Sequence, residues 1–248
     1  MPNYFSDLIG FSTHTLIKSI YPLKKESCYV AGWVGSGSTF IYQAISKMGI
    51  RVNKVHGVPK YNKFNITFYT IRDPRDVILS TARRSLNDIL KNQGLTKAIE
   101  ESISQFVNKH KFIEDYFQAT RLPNTLIIRY ETFFNGNQNL LLQFLADQLS
   151  VPISQSKTNE ILDECSIEAN MKRMGKYNNF HQWDKKSQIH GNHISNKGKI
   201  GGWKDIYNSE ICEMIDYHIG DFLIALKYEE NRNWVNLMKN VTKNAANA

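Results

Sequence analysis

Cysteine, long apolar runs and, in one region, acidic residues are what this chain has little of. Only Cys28, Cys165 and Cys212 occur among 248 residues, far apart and odd in number. That excludes a disulfide framework and offers no zinc-ligand spacing, so the thiols are expected to be buried and reduced, as in a cytoplasmic protein. No apolar run approaches the roughly 20 residues of a membrane span. Residues 1–20 include Asp7 and Lys18 and lack the basic start and unbroken apolar stretch of a secretory leader, so neither export nor a membrane is expected. Acid is scarce between residues 172 and 204, where eight Lys and Arg face Asp184 alone. This segment carries +7 of the chain's net charge of +8. Such localised charge fits nucleic acid, a phosphorylated cofactor, an acidic membrane or simply a solvated basic loop.

What is present is globular. Hydrophobic residues make up 42% and charged residues 22%, which excludes a mainly disordered chain and is enough for a complete core. Residues 27–34 form an apolar, β-prone run and are expected to be a buried strand. Residues 38–48 then have helical spacing through Phe40, Ile41, Ala44, Ile45 and Met48, and Gly49 stops them. Strands are expected at 51–56, 65–72 and 124–130. Helices are expected from Pro74 to about Leu86, capped by Asp73, and at 95–119, 137–149, 156–166 and 208–227. Residues 176–203, rich in Gly, Asn, His and Lys, read as a mobile loop. Strands alternating with helices imply an α/β fold with a parallel sheet covered on both faces. No linker divides the chain, so one domain over residues 1–248 is expected.

Two segments carry chemistry. Residues 32–39, G-W-V-G-S-G-S-T, lie between the first strand and its helix, where glycines let backbone N–H groups approach an anion and the helix N-terminus adds favourable dipole charge. The nucleoside-triphosphatase loop has a lysine where Ser38 stands, so nucleotide hydrolysis loses its main support. Residues 71–80, I-R-D-P-R-D-V-I-L-S, put Arg72 at the carboxyl end of a strand, the ligand side of an open α/β sheet. An Arg fork suits phosphate, although an Arg72–Asp76 or Asp73–Arg75 surface pair explains the same residues.

Taken together the segments resemble the cytosolic-type sulfotransferases, which use 3′-phosphoadenosine 5′-phosphosulfate. The family's Y-P-K-S-G-T-T-W loop is met by W-V-G-S-G-S-T-F at 33–40. Its R-[ND]-P-[KR]-D-V-x-x-S motif is met at every fixed position by residues 72–80. K-V-H-G-V-P at 54–59 resembles its K-T-H-x-P with one residue more. R-Y-E-T-F at 129–133 and N-K-G-K-I-G-G-W-K at 196–204 resemble two later blocks.

The resemblance implies a P-loop-like, three-layer α/β fold with a central parallel sheet of four or five strands. It implies that Gly35, Ser36, Gly37, Ser38, Thr39 and Phe40 hold the 5′-phosphosulfate end and adenine. Arg72, Ser80, Lys197 and Gly198 would bind the 3′-phosphate, with Tyr130 bordering the adenine. His56 would be the general base and Lys54 the cation at the transferring group. No metal is implied. Gly35 replaces the loop Lys or Arg, and Asn196 a late Arg. Lys54, Lys60, Lys197 and Lys199 are candidates to supply the missing charge. The expected partner is a small-molecule acceptor with a hydroxyl or amine, without nucleic acid or membrane, in a monomer or homodimer. Alternatives are a carbohydrate sulfotransferase, or a catalytically weak member that only binds 3′-phosphoadenosine nucleotides or nucleic acid.

Overall fold

The structure, a computed structural model, describes residues 27–59, 65–194 and 197–236. The leader-free start read over residues 1–20, Lys60 as a candidate cation and Asn196 as a replaced arginine lie outside the described residues. Among the described residues, the elements in chain order are first β1 (Ser27–Gly32), α1 (Ser38–Lys47), β2 (Arg51–Lys54), β3 (Thr67–Ile71) and α2 (Pro74–Ser85). There follow α3 (Asn87–Gln93), α4 (Leu95–Ser104), a π turn (Gln105–Lys109), α5 (Phe112–Arg121), β4 (Thr125–Arg129) and α6 (Tyr130–Phe133). Then come α7 (Gln138–Leu149), α8 (Gln155–Glu164), α9 (Ile167–Met174), β5 (Trp183–Asp184), β6 (Ile189–His190), a 3-10 turn (Gly202–Asp205) and α10 (Ser209–Ala225).

The described residues group into two compact units. One holds those of 1–72 and 114–198, the other those of 73–113 and 199–248.

The first unit is built on a four-stranded parallel sheet in the order β2-β1-β3-β4, flanked by helices, as the alternation of strand and helix predicts. β3 is buried at every residue, as an inner strand of a parallel sheet must be. Cys28, Val30, Phe68 and Ile128 from the strands pack with Ile41, Ala44 and Ile45 of α1 and Leu141, Leu142 and Leu145 of α7. These apolar side chains leave water together, and that burial is the main term holding the sheet. β1 connects through α1 to β2 on one side, while β3 lies on the other. The strand order therefore reverses beside β1, and the loops leaving β1 and β3 open at that switch point.

The second unit is helical. Asp73 caps α2, its carboxylate accepting from Arg75 N at 2.9 Å with Pro74 in the first turn, as the sequence predicts. Trp203 is buried, donates from Nε1 to Asp73 Oδ2 at 3.2 Å, and carries the Arg75 guanidinium over its ring at 4.0 Å. Asp76 accepts from Gly201 N at 2.8 Å and Trp203 N at 3.2 Å. The aspartates of the R-D-P-R-D segment thus join its own helix to the later G-G-W-K segment. The Asp73–Arg75 pair that the sequence offers does form, with Arg75 Nη2 2.9 Å from Asp73 Oδ2, but both residues are buried and so it is not a surface pair.

Three further expectations are corrected. β2 ends at Lys54, so His56 lies past the strand in a bend that contains Gly57 at φ 77°. The helix expected at 95–119 breaks at 110–111, where Lys111 has φ 50°. The break lets Phe112 return onto Phe106, ring centroids 5.2 Å apart, a contact that residues six apart on one straight helix do not make. Residues 176–203 are not a plain loop, since they hold the β5–β6 hairpin and the 3-10 turn. The three cysteines are free and buried, and burial pushes their thiols up, Cys28 to about 12 and Cys165 and Cys212 to about 11, far from reactive thiolate. Among the described residues no helix is long and apolar enough to cross a membrane, and no group of three or more His, Cys, Asp and Glu could hold a metal ion.

Candidate active site

The site of the first unit starts where β1 ends. Trp33 to Gly37 turn the chain into α1, and two glycines make the turn possible. Gly35 has φ 77° and Gly37 φ 89°, a region that side chains other than glycine enter at a cost. A Cβ on Gly37 would also lie 2.8 Å from the Phe134 ring and 3.0 Å from Tyr130 Cδ2. No side chain caps α1 and no acid stands in its first turn. Its first N–H groups, unpaired by helix geometry, face a concave turn with positive dipole charge. The cradle therefore fits an anion such as a phosphosulfate.

Ser36 turns inward. Its hydroxyl donates to Trp33 O at 2.5 Å and lies 2.5 Å from Thr70 Oγ1, and its N–H is directed at the same carbonyl at 3.3 Å. These contacts tie the Ser36 hydroxyl to the turn itself. Thr39 stands in the first turn of α1. Its Oγ1 accepts from Lys54 Nζ at 2.6 Å and is 3.2 Å from His193 Nε2.

Two positive groups thus bracket the cradle. Lys54 comes from the end of β2. Arg72, just past β3 and 6% exposed, donates from Nη1 to Gly35 O at 3.2 Å. The Arg72 guanidinium lies 4.4 Å over the Tyr130 ring, and that ring stacks on Phe134 at 4.3 Å and 5°. Burial of the charge is offset by the π face and the carbonyl. Phe40 meets Phe134 edge to face at 5.2 Å. Tyr130 donates its hydroxyl proton to Gly198 O at 3.0 Å.

The first unit therefore brings together Gly35, Gly37, Ser38, Thr39, Phe40, Lys54, Arg72, Tyr130 and Gly198. Lys197 is exposed next to Gly198. His56 is exposed in the bend after β2. Ser80 lies on α2 in the second unit.

Three residues that the sequence did not single out belong to the same neighbourhood. Phe134 forms the floor under Gly37, and its place four residues after Tyr130 was the available signal. His193 reaches Thr39 from 154 residues away, a meeting that no local pattern encodes. Asp115 of α5 lies beside the Gly57 backbone, with an oxygen 2.9 Å from where a Cβ would stand. Burial, and then the Glu114 charge, hold the Asp115 carboxyl above its ordinary range. Burial, and then Asp115, likewise push up the nearby Tyr69 phenol.

Comparison with known proteins follows the same line. A family model described as a sulfotransferase domain matches residues 53–233. The match begins one residue before Lys54 and leaves the glycine turn outside it. Among curated proteins no sequence match is found. Similar solved structures include retinol dehydratase in complex with androsterone and the inactive cofactor PAP, at 16% identity and TM-score 0.61 over 82% of each chain. Retinol dehydratase with retinol and PAP is similar to the same degree in identity and coverage, with TM-score 0.59. Mouse sulfotransferase SULT7A1 complexed with PAP has 14% identity and TM-score 0.59, over 93% of this chain and 95% of that one. At these identities the likeness is one of fold.

Proposed function

Because the chain belongs to the sulfotransferase domain family, we propose that it moves a sulfuryl group from 3′-phosphoadenosine 5′-phosphosulfate to a hydroxyl or amine of a small molecule. The two units are read as parts of one sulfotransferase-like domain, since the family match runs through residues of both. A cytoplasmic location fits the same reading.

The observation that carries the proposal is the Lys54–Thr39 contact at the glycine turn, with Arg72 on its other side. A chain built only to bind an anion needs the turn. A chain built for transfer needs in addition a cation where negative charge develops on the leaving oxygen. Gly35 offers none, and its φ of 77° makes a side chain there costly. Lys54 provides the charge from the neighbouring strand.

The donor, when bound, supplies the activated sulfuryl group and leaves as 3′-phosphoadenosine 5′-phosphate. The protein's part is positioning. The α1 N–H groups and the Thr39 hydroxyl hold the 5′ anion. Phe40 offers its ring to adenine, and Tyr130, whose faces carry Phe134 and the Arg72 guanidinium, borders it. The motif match at 72–80 assigns Arg72 and Ser80 to the 3′-phosphate, and the later N-K-G block assigns Lys197 and Gly198 to it, each by resemblance to the family. His56, two residues past Lys54 and open to solvent, takes the proton from the acceptor, since a neutral imidazole accepts one near pH 7.

The test is sulfate transfer from labelled donor to a panel of alcohols, phenols and amines. Androsterone and retinol come first, because they are the small molecules held in two of the similar structures. His56→Ala should lower turnover by roughly 10²–10⁴ with PAP binding kept. Near-normal turnover of that variant between about pH 6 and 9, across the imidazole's ordinary titration, removes His56 from the reaction. It would then favour a chain that binds the nucleotide without transferring from it.

A further inference from the structure

The basic segment that the sequence leaves as a loop comes back to the glycine turn. Gln43 stands one helical turn beyond Thr39 on α1, and both are buried on the same face. Gln43 Nε2 donates to Ser187 O at 2.7 Å and to Asn170 Oδ1 at 3.0 Å, and Asn170 Nδ2 donates back to Gln43 Oε1 at 3.1 Å. The hairpin is thereby pinned to the helix whose first turn forms the anion cradle.

Beyond the hairpin, rings fix the path of the chain. His190 stacks with Phe180 at 4.5 Å and 13°, and with Trp183 at 5.1 Å and 8°. Its Nδ1 lies 2.8 Å from Phe180 O. His193 continues the stack on His190 at 5.7 Å and 18°, and its Nε2 reaches Thr39 Oγ1 at 3.2 Å. Lys54 Nζ holds the same oxygen at 2.6 Å.

We propose that His193 is a further binding residue for the phosphosulfate end of the sulfuryl donor, and that as imidazolium it adds a second positive charge, beside that of Lys54, at the turn where Gly35 offers none. The proposal deepens the sulfotransferase reading and rests on it.

The groups that face His193 give the sign of the effect. From α1 comes the neutral Thr39 hydroxyl, from β2 the Lys54 ammonium acting through that hydroxyl, and from β6 the stacked His190. On the α9 side, Met174 Sδ accepts from the adjacent Ile194 N at 3.3 Å. Lys54 and a protonated His190 both disfavour a proton on His193 while the cradle holds no anion. A bound anion reverses that balance. Anion binding and proton uptake by His193 are therefore linked, and an anion should bind more tightly below the imidazole's ordinary pKa than above it.

The experiment is an NMR titration of the histidine rings of the full chain, alone, with PAP and with inorganic pyrophosphate. Calorimetric PAP titrations of wild type, His193→Gln and His193→Lys accompany it at about pH 6 and 8.5, either side of an ordinary imidazole pKa. The His193 pKa should rise by about one unit with either ligand, equivalent to about tenfold tighter binding of the protonated form. Wild type should bind PAP about tenfold more tightly than His193→Gln at the lower pH and about equally at the higher, while His193→Lys stays tight at both. If PAP binds but the His193 pKa stays put and His193→Gln binds as well as wild type at both pH values, the proposal is overturned and the sulfotransferase reading stands. If PAP fails to bind wild type while pyrophosphate still raises the His193 pKa, the anion role stands and the donor reading falls. A His193 that responds to neither ligand sinks the proposal outright, and PAP binding in the same samples then decides the donor reading.

Discussion

Arg72 shows how one residue is held ready by parts far apart in the chain. It leaves β3 with a short side path to Gly35 O, and Tyr130 arrives under it from the end of β4. A phosphate offers the Arg72 guanidinium two charged acceptors in the geometry of its fork. Arg72→Ala should weaken PAP by on the order of 1.5–3 kcal/mol, the worth of a charged hydrogen bond. It should weaken adenosine 5′-phosphosulfate far less, because that ligand lacks the 3′-phosphate. Calorimetry of both ligands on the folded variant checks this, and equal losses would place Arg72 at the 5′ end instead. The motif made Arg72 legible as an anion residue. Its aromatic support was not legible, since cation–π contacts form between residues 58 positions apart.

The hairpin shows what an element adds. β5 and β6 have two residues each, too few to be stable on strand pairing alone. Asp184 closes the turn between them, its Oδ1 accepting from Lys186 N at 2.9 Å and its Oδ2 from the Ser187 hydroxyl at 2.8 Å. The Ser187 hydrogen bond, helped by backbone N–H groups, holds the carboxyl below its ordinary range. A depressed acid stabilises the fold above its ordinary pKa of about 4 and loses that contribution as pH falls through the lowered value. Asp184→Asn should therefore loosen residues 183–190 at neutral pH by on the order of 1 kcal/mol. Wild type should show the same loosening only on acidification, and the variant should be insensitive to it. The Lys186 and Ser187 amide signals in a pH-dependent NMR series report both. The Gly-, Asn-, His- and Lys-rich composition of residues 176–203 was visible in the sequence and read as a loop. The hairpin was hidden because its stability comes from the ring stack and from Gln43 of another element.

At the scale of the whole molecule, the charge is less uniform than the composition suggests. Residues 172–204 hold most of the excess, yet the structure commits several of them. Arg173 donates to Glu164 O and to Asn170 Oδ1 at 2.7 and 2.8 Å, and Lys199 pairs with Asp205 at 2.5 Å. Lys204 lies 5.7 Å over the Trp203 ring. A segment whose cations are partly committed to partners within the protein leaves fewer of them for a long nucleic-acid backbone, and the expected partner stays a small polyanion. PAP at a hundredfold excess over its Kd should add about 2.7 kcal/mol to stability, because a ligand that binds only the folded state shifts unfolding by mass action. Thermal unfolding with PAP, and with duplex DNA at physiological salt, checks it. A midpoint raised by DNA and not by PAP would reverse the partner assignment.

The sequence by itself determined the α/β alternation, the glycine turn, the capped start of α2 and the residues that mark the family, because each depends on local spacing or on backbone freedom at one position. Tertiary structure alone decided that Ser36 faces inward, that Lys54 reaches Thr39, and that His193 does so from the far side. Those meetings follow from β2 lying beside β1 and from the hairpin being pinned to α1. Contacts of that kind are fixed by how elements pack, and a side chain's neighbours across such a gap leave no period in the sequence to read.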